Sequence, residues 1–224
     1  MPELKITYFD FPGRAEASRL ALHIGGIPFT DERLLVDEFV TAKPSFPYGS
    51  LPVLTVDGQL LAQSAAILRY CGCLADLYPA DALEAARADE VVNVVVEFVA
   101  GLEEIGGSAE EDDDNGVQMR VLDFVNQALP KFLGGLDRRL QSFGEGPAAV
   151  GAGITIADLA IYVCLLNIAA GAFEPVSMKV VQGYTRVVAS FEMVRTHPKV
   201  VAWNNQIARK AADVRQRAEA GMPN

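Results

Sequence analysis
The sequence predicts an α/β domain of element order βαβ-α-ββα followed by an all-helical domain. Three observations carry this. Residues 4–34 alternate and then repeat as strand, helix, strand. Val53–Ala62 reads as a hairpin about Asp57-Gly58. Beyond Tyr78-Pro79 the apolar residues recur with the helical period.

Leu4, Ile6 and Tyr8 alternate with Lys5 and Thr7, which predicts a half-buried strand ending at Tyr8. Pro12-Gly13-Arg14 opens a helix with Ala17, Leu20, Ala21 and Ile24 on one face and Gly25-Gly26 as its stop. Phe29–Leu34 is the second strand, and a β-α-β unit of this kind pairs its strands in parallel. Residues 36–47 are expected as a short irregular helix ended by Pro44 and Pro47. Val53–Val56 and Gln59–Ala62 form the hairpin, because Asp-Gly supplies the two-residue turn. Pro52 cannot donate to a sheet ladder, so it is expected at the first residue of its strand, with Leu51's amide and carbonyl free on an open edge. Ser64, an N-cap type, is expected to start a helix through Ala65, Ala66, Ile67 and Leu68.

Tyr78-Pro79-Ala80-Asp81 is the linker candidate, giving domains of residues 1–79 and 83–224. Leu83–Ile105 and Val117–Phe143 are expected as long helices, separated by the like-charge block Glu110–Asp114, which favours a solvated loop. Thr155 and Asp158 make a capping-box pair with Ile154 and Leu159 as its staple. The helix they open, through Ala170, is apolar nearly all round and is expected at the centre of the core. Met178–Met193 and Pro198–Arg217 supply two more helices.

Half of the 224 residues are hydrophobic, ample for a buried core, and the apolar runs break well short of a membrane span. No basic region followed by an apolar stretch opens the chain, so a cytoplasmic protein is expected. The three cysteines form neither a disulfide framework nor a metal-ligand set. A net charge of −10 argues against a nucleic-acid partner, whose affinity comes from clustered Lys and Arg.

The stretch Tyr48–Tyr70 carries the functional signal. Leu51 offers a free backbone to an extended peptide. A few residues on, a helix start offers unpaired N–H groups and the positive end of a dipole to a carboxylate. The arrangement S-L-P-V-L…Q-S-A-A-I-L-R-Y, with the opening K-I-T-Y-F-D-F-P-G-R-A-E, resembles the cytosolic glutathione transferases, the sigma class above all, with its mu, pi and alpha relatives.

That resemblance implies a thioredoxin-like first domain. It implies a cis Leu51-Pro52 bond, the Leu51 backbone paired with the cysteinyl unit of glutathione, and Gln63-Ser64 holding the γ-glutamyl carboxylate. Tyr8 would stabilise the thiolate, Arg14 would support it electrostatically, and Lys43 would reach the glycyl carboxylate. Alone, these are an ordinary strand-end tyrosine, a surface arginine and a surface lysine; the matched frame assigns the roles. A thiol ionises near pH 8.5, and lowering that by about two units requires about 2.7 kcal/mol. One hydrogen bond to a charged acceptor supplies roughly 1.5–3 kcal/mol, so a single hydroxyl nearly suffices.

The chain departs from the family pattern at three places. Phe39 stands where the sigma class has a tryptophan whose indole donates to glutathione, and Ser50 replaces a glutamine or lysine before Leu-Pro. Val96 falls where an acidic residue reaches the partner subunit, with Glu97 beside it, so either Glu97 substitutes or that cross-subunit contact is missing. By resemblance the second-substrate pocket lies over Phe9 and Gly13 and is lined by Val99, Ala160 and Cys164, three small and apolar residues that also suit plain core. Tyr48 is the expected key of a homodimer interface. His23, His197, Trp203 and Asp158 are expected to be structural.

The implied function is conjugation of glutathione, as co-substrate and with no bound cofactor or metal, to a hydrophobic electrophile. Two alternatives stay open. One is an isomerase or peroxidase using the same thiolate; the other is a catalytically weak ligand-binding or structural protein, as in the sigma-type lens crystallins, which Phe39, Ser50 and Val96 favour.

Overall fold
The computed structural model describes residues 1–107, 119–120, 122–169 and 178–219. A four-stranded mixed sheet, β1 (Leu4–Phe9), β2 (Thr30–Leu34), β3 (Val53–Val56) and β4 (Gln59–Ala62), is ordered β2-β1-β3-β4. β1 pairs with β2 in parallel and with β3 antiparallel. The hairpin turns at Asp57 and Gly58, both at positive φ (47° and 82°), which is what Asp-Gly accommodates. α1 (Glu16–Gly25) follows a single 3-10 turn at Gly13–Ala15 and ends where Gly26 takes the left-handed conformation. α2 (Val36–Ala42) and two 3-10 turns, Lys43–Ser45 and Pro47–Gly49, lead to β3, and α3 (Ser64–Leu74) follows β4.

The remaining described elements are helical: α4 (Ala82–Gly107), α5 (Leu129–Phe143), α6 (Ile156–Ala169), α7 (Thr185–Arg195) and α8 (Pro198–Glu219). α6 is the central helix, with every residue from Ile156 to Leu165 buried. Its start is fixed by the Asp158 carboxylate, which is wholly buried. It accepts the Thr155 N–H (2.9 Å) and hydroxyl (3.0 Å), the Ala149 N–H (2.7 Å) and the Ser190 hydroxyl (2.7 Å). Gly72 of α3 meets α6 so closely that a Cβ there would lie 2.3 Å from Ile156 Cγ2, so only glycine permits this contact.

Four expectations are corrected. β3 is an inner strand, and the sheet's free margins are β2 and β4. Leu51 is unpaired for a different reason: the ladders end at Thr7–Val53 and Val53–Ala62, and Pro52 stands just before the strand. Ser64 is the first residue of α3, and Gln63 is the cap, at φ 75° and ψ 114°. Met178–Met193 is broken into a 3-10 segment, Met178–Gly183, and α7, because Tyr184 at φ −104° and ψ 82° leaves helical geometry. In the described part of Val117–Phe143, a π turn at Phe124–Ala128 precedes α5. There the Leu129 N–H reaches Phe124 O, five residues back, and Pro130 has no N–H with which to close the next ordinary turn. The acidic block Glu110–Asp114 lies outside the described residues.

Candidate active site
A cleft of about 790 Å³ opens between the C-terminal end of β1, the Ser50–Pro52 segment, the start of α3, and helices α4 and α6. At its floor lies Tyr8, only 5% exposed. Its hydroxyl oxygen accepts the Arg14 N–H at 3.2 Å, which leaves the phenolic proton free to donate into the cleft. Burial pushes the phenol above its ordinary pKa, and the Arg14 N–H pulls it back only in part, so it remains a donor at neutral pH. Gly13, at φ 44°, is fixed by this contact, since a Cβ there would stand 2.6 Å from Tyr8 Oη.

The Phe9–Gly13 turn is anchored from below by Arg19, which has no solvent exposure. It donates to Asp31 Oδ1 (2.8 Å), Glu16 Oε2 (3.2 Å) and the carbonyls of Phe11 (3.2 Å) and Pro12 (3.4 Å). Glu16 Oε1 in turn accepts the Trp203 indole N–H from α8 at 2.6 Å. A buried charge of this kind survives only when its donors are matched, and here the matching fixes the turn that carries the site.

Arg14 lines the cleft, and its guanidinium is held side-on by Glu103 of α4, Nε to Oε1 at 2.8 Å and Nη2 to Oε2 at 2.5 Å. Donating to the Glu103 carboxylate raises the arginine's pKa further above its usual range. The arginine's direct contact with the tyrosine is therefore through its backbone. Gln63, Ser64 and Ala65 line the opposite wall. Gln63 stands at a positive φ, which is costly for a residue with a Cβ, and the start of α3, where a helix leaves N–H groups unpaired, borders the cleft.

Of the residues singled out from sequence, Tyr8, Phe9, Gly13, Arg14, Phe39, Ser50, Leu51, Pro52, Gln63, Ser64, Val99, Ala160 and Cys164 share this one cleft, and the Leu51–Pro52 peptide is cis. Lys43 is not among them; it is exposed, with its ammonium 5.9 Å above the Phe39 ring. Glu97 also stands apart. Val96 faces the cleft, and the next helical residue is turned about 100° away, toward solvent.

Phe11, Leu102, Glu103, Val163 and Asn167 line the cleft as well. Helical spacing was the available signal, for Glu103 is four residues beyond Val99 and Asn167 three beyond Cys164. The Cys164 thiol is pushed up to about 12 by burial, and Cys71 likewise, so neither is a thiolate at neutral pH. Among the described residues no cluster of metal-ligating side chains occurs, and no helix is long and apolar enough to cross a membrane. A second hollow, lined by Ala202, Asn205, Gln206, Arg209, Lys210 and Asp213, is the flank of α8 alone and gathers no chemistry.

The family model for the glutathione S-transferase N-terminal domain matches residues 4–72, and that for the glutathione S-transferase C-terminal domain matches residues 102–206. The chain is 34% identical to glutathione S-transferase 1 of Ascaris suum, over 91% of this chain and 96% of that protein. It is 31% identical to the hematopoietic prostaglandin D synthase of Gallus gallus, again over 91% and 96%. The solved structure of monomeric Na-GST-3, a glutathione S-transferase of Necator americanus, superposes with a TM-score of 0.76 at 28% identity, covering 91% of this chain and 97% of that one. Two matched domains and a relative of that identity along nearly its whole length show that the chain belongs to the glutathione S-transferase family.

Proposed function
We propose that this chain is a glutathione transferase that conjugates glutathione to uncharged, hydrophobic electrophiles in the cytoplasm. The observation that carries the reading is the Tyr8 hydroxyl, buried, protonated, and with its proton free toward a cleft that also holds an unpaired Leu51 backbone and a helix start. The cysteinyl unit of glutathione pairs with Leu51, and its γ-glutamyl carboxylate takes the N–H groups of Ser64 and Ala65 beside Gln63. Phe39, Ser50 and Pro52 pack the rest of the tripeptide, and Lys43 reaches the glycyl carboxylate by rotation of its flexible stem.

Tyr8 donates to the sulfur and lowers the free energy of the thiolate, while the thiol proton passes to solvent. The sulfur attacks the halide-bearing carbon of an activated halo-aromatic; the S–C bond forms and halide leaves with the bonding pair. The electrophile lies over Phe9 and Gly13 against Val99, Ala160 and Cys164. The test is turnover of chlorodinitrobenzene with glutathione, alongside calorimetric binding of glutathione. Saturable conjugation is expected. Binding without turnover would select the structural reading that Phe39, Ser50 and Val96 favour, and absence of binding would remove both. Likeness to a prostaglandin D synthase makes a glutathione-dependent isomerisation the second reading on the same site.

We further propose that residues 1–79 and 83–224 are the two domains, and that the protein forms a two-fold dimer. Tyr48 is 82% exposed at φ 57°, which suits an aromatic key inserted into a partner, with Glu97 then facing the partner's glutathione. Sedimentation velocity over a wide concentration range is expected to give a dimer. A concentration-independent monomer, the state named for the Necator structure, would overturn the assignment.

A further inference from the structure
Among the described residues lining the cleft, Arg14 is the only cation and Glu103 the only anion. Glu103 reaches Arg14 across 89 positions of sequence and grips one side of its guanidinium with two parallel hydrogen bonds. The pair lines the same cleft as two apolar groups. On one side lie Phe9 and Phe11, stacked at 5.5 Å and 5°. On the other are Val95, Val99, Leu102 and Val163. A planar guanidinium with a free donor edge is the side chain best shaped to seat a carboxylate. Here the Nε–Nη2 edge is already filled, and by a group whose negative charge offsets the arginine's, with 54% of its side chain open to solvent.

We propose that Glu103 is a specificity-determining residue: by filling the Nε–Nη2 edge of Arg14 it makes the chamber accept uncharged electrophiles and discriminate against carboxylates. This rests on the transferase reading above and names the substrate class of that same site. A carboxylate-bearing electrophile approaching the sulfur meets repulsion from Glu103 and an arginine whose charge Glu103 already offsets. An uncharged ring of the same shape meets only the aromatic stack and the aliphatic wall. The discrimination is electrostatic, so added salt relaxes it.

The experiment compares kcat/KM for chlorodinitrobenzoate with that for the uncharged chlorodinitrobenzotrifluoride, as a ratio, which cancels effects on the thiolate common to both. In E103Q the benzoate-to-trifluoride ratio is expected to rise about two- to fivefold, the order set by one partly exposed charge pair. In E103D, which keeps the charge, the ratio is expected to stay at the native value. For the native chain, which needs no variant to fold, the ratio is expected to climb with ionic strength. An unchanged ratio in E103Q, or an equal rise in E103D, would overturn the filter while leaving the transferase standing. No turnover of the uncharged electrophile by the native chain would overturn the transferase reading and the filter with it.

Discussion

Replacing Tyr8 with phenylalanine is expected to lower kcat/KM for an activated halo-aromatic by roughly ten- to 150-fold at neutral pH. The ring, its burial and its edge contacts with Phe9 and Phe11 persist, so the variant removes the donor toward the sulfur and, with it, the acceptor of the Arg14 N–H. A hydrogen bond to a charged acceptor is worth roughly 1.5–3 kcal/mol, and each 1.36 kcal/mol of barrier is about a factor of ten. The sign of the pH dependence follows. The native donor favours the thiolate and depresses the thiol pKa; without it the pKa returns toward about 8.5. The rising limb of the pH–rate profile therefore moves up by about one to two units, and the deficit narrows under alkaline conditions. Equal native and variant rates at neutral pH would remove Tyr8 from the chemistry.

The second large effect is expected from Asp158→Ala, and it is one of stability. The alanine removes the acceptor of four donors, the Ala149 and Thr155 N–H groups and the Thr155 and Ser190 hydroxyls, at a position with no exposure. Each buried donor left unsatisfied costs about 1–3 kcal/mol. The sum is comparable to the whole stability of an ordinary domain, about 5–15 kcal/mol. The variant is expected to be insoluble or to melt far below the native chain. Thermal unfolding followed by circular dichroism checks this, and a native Tm would show that the cap is dispensable.

The parts legible in the sequence were those decided locally. Alternation placed β1, Asp57-Gly58 placed the hairpin, and Thr155 with Asp158 placed the start of α6, since each depends on residues a few positions apart. Leu51, Gln63 and Ser64 fall in the same cleft as Tyr8 because the order of short motifs along the chain constrains where the elements can meet. What escaped was decided by distant or conformational facts. The Glu103 grip on Arg14 and the Trp203 bond to Glu16 join residues 89 and 187 positions apart. The positive φ of Gln63 contradicts its residue type, and the π turn before Pro130 trades one hydrogen-bond register for another.

The chain holds one tryptophan, and its indole N–H is bonded to the carboxylate that also binds Arg19 under the Tyr8–Gly13 turn. The indole further lies 5.0 Å from the His23 ring. Its emission is therefore a built-in optical reporter of the seam between α1 and α8. A red shift in that single fluorophore would register the loosening of α8 from α1 before the bulk of the helices melts, with no label attached.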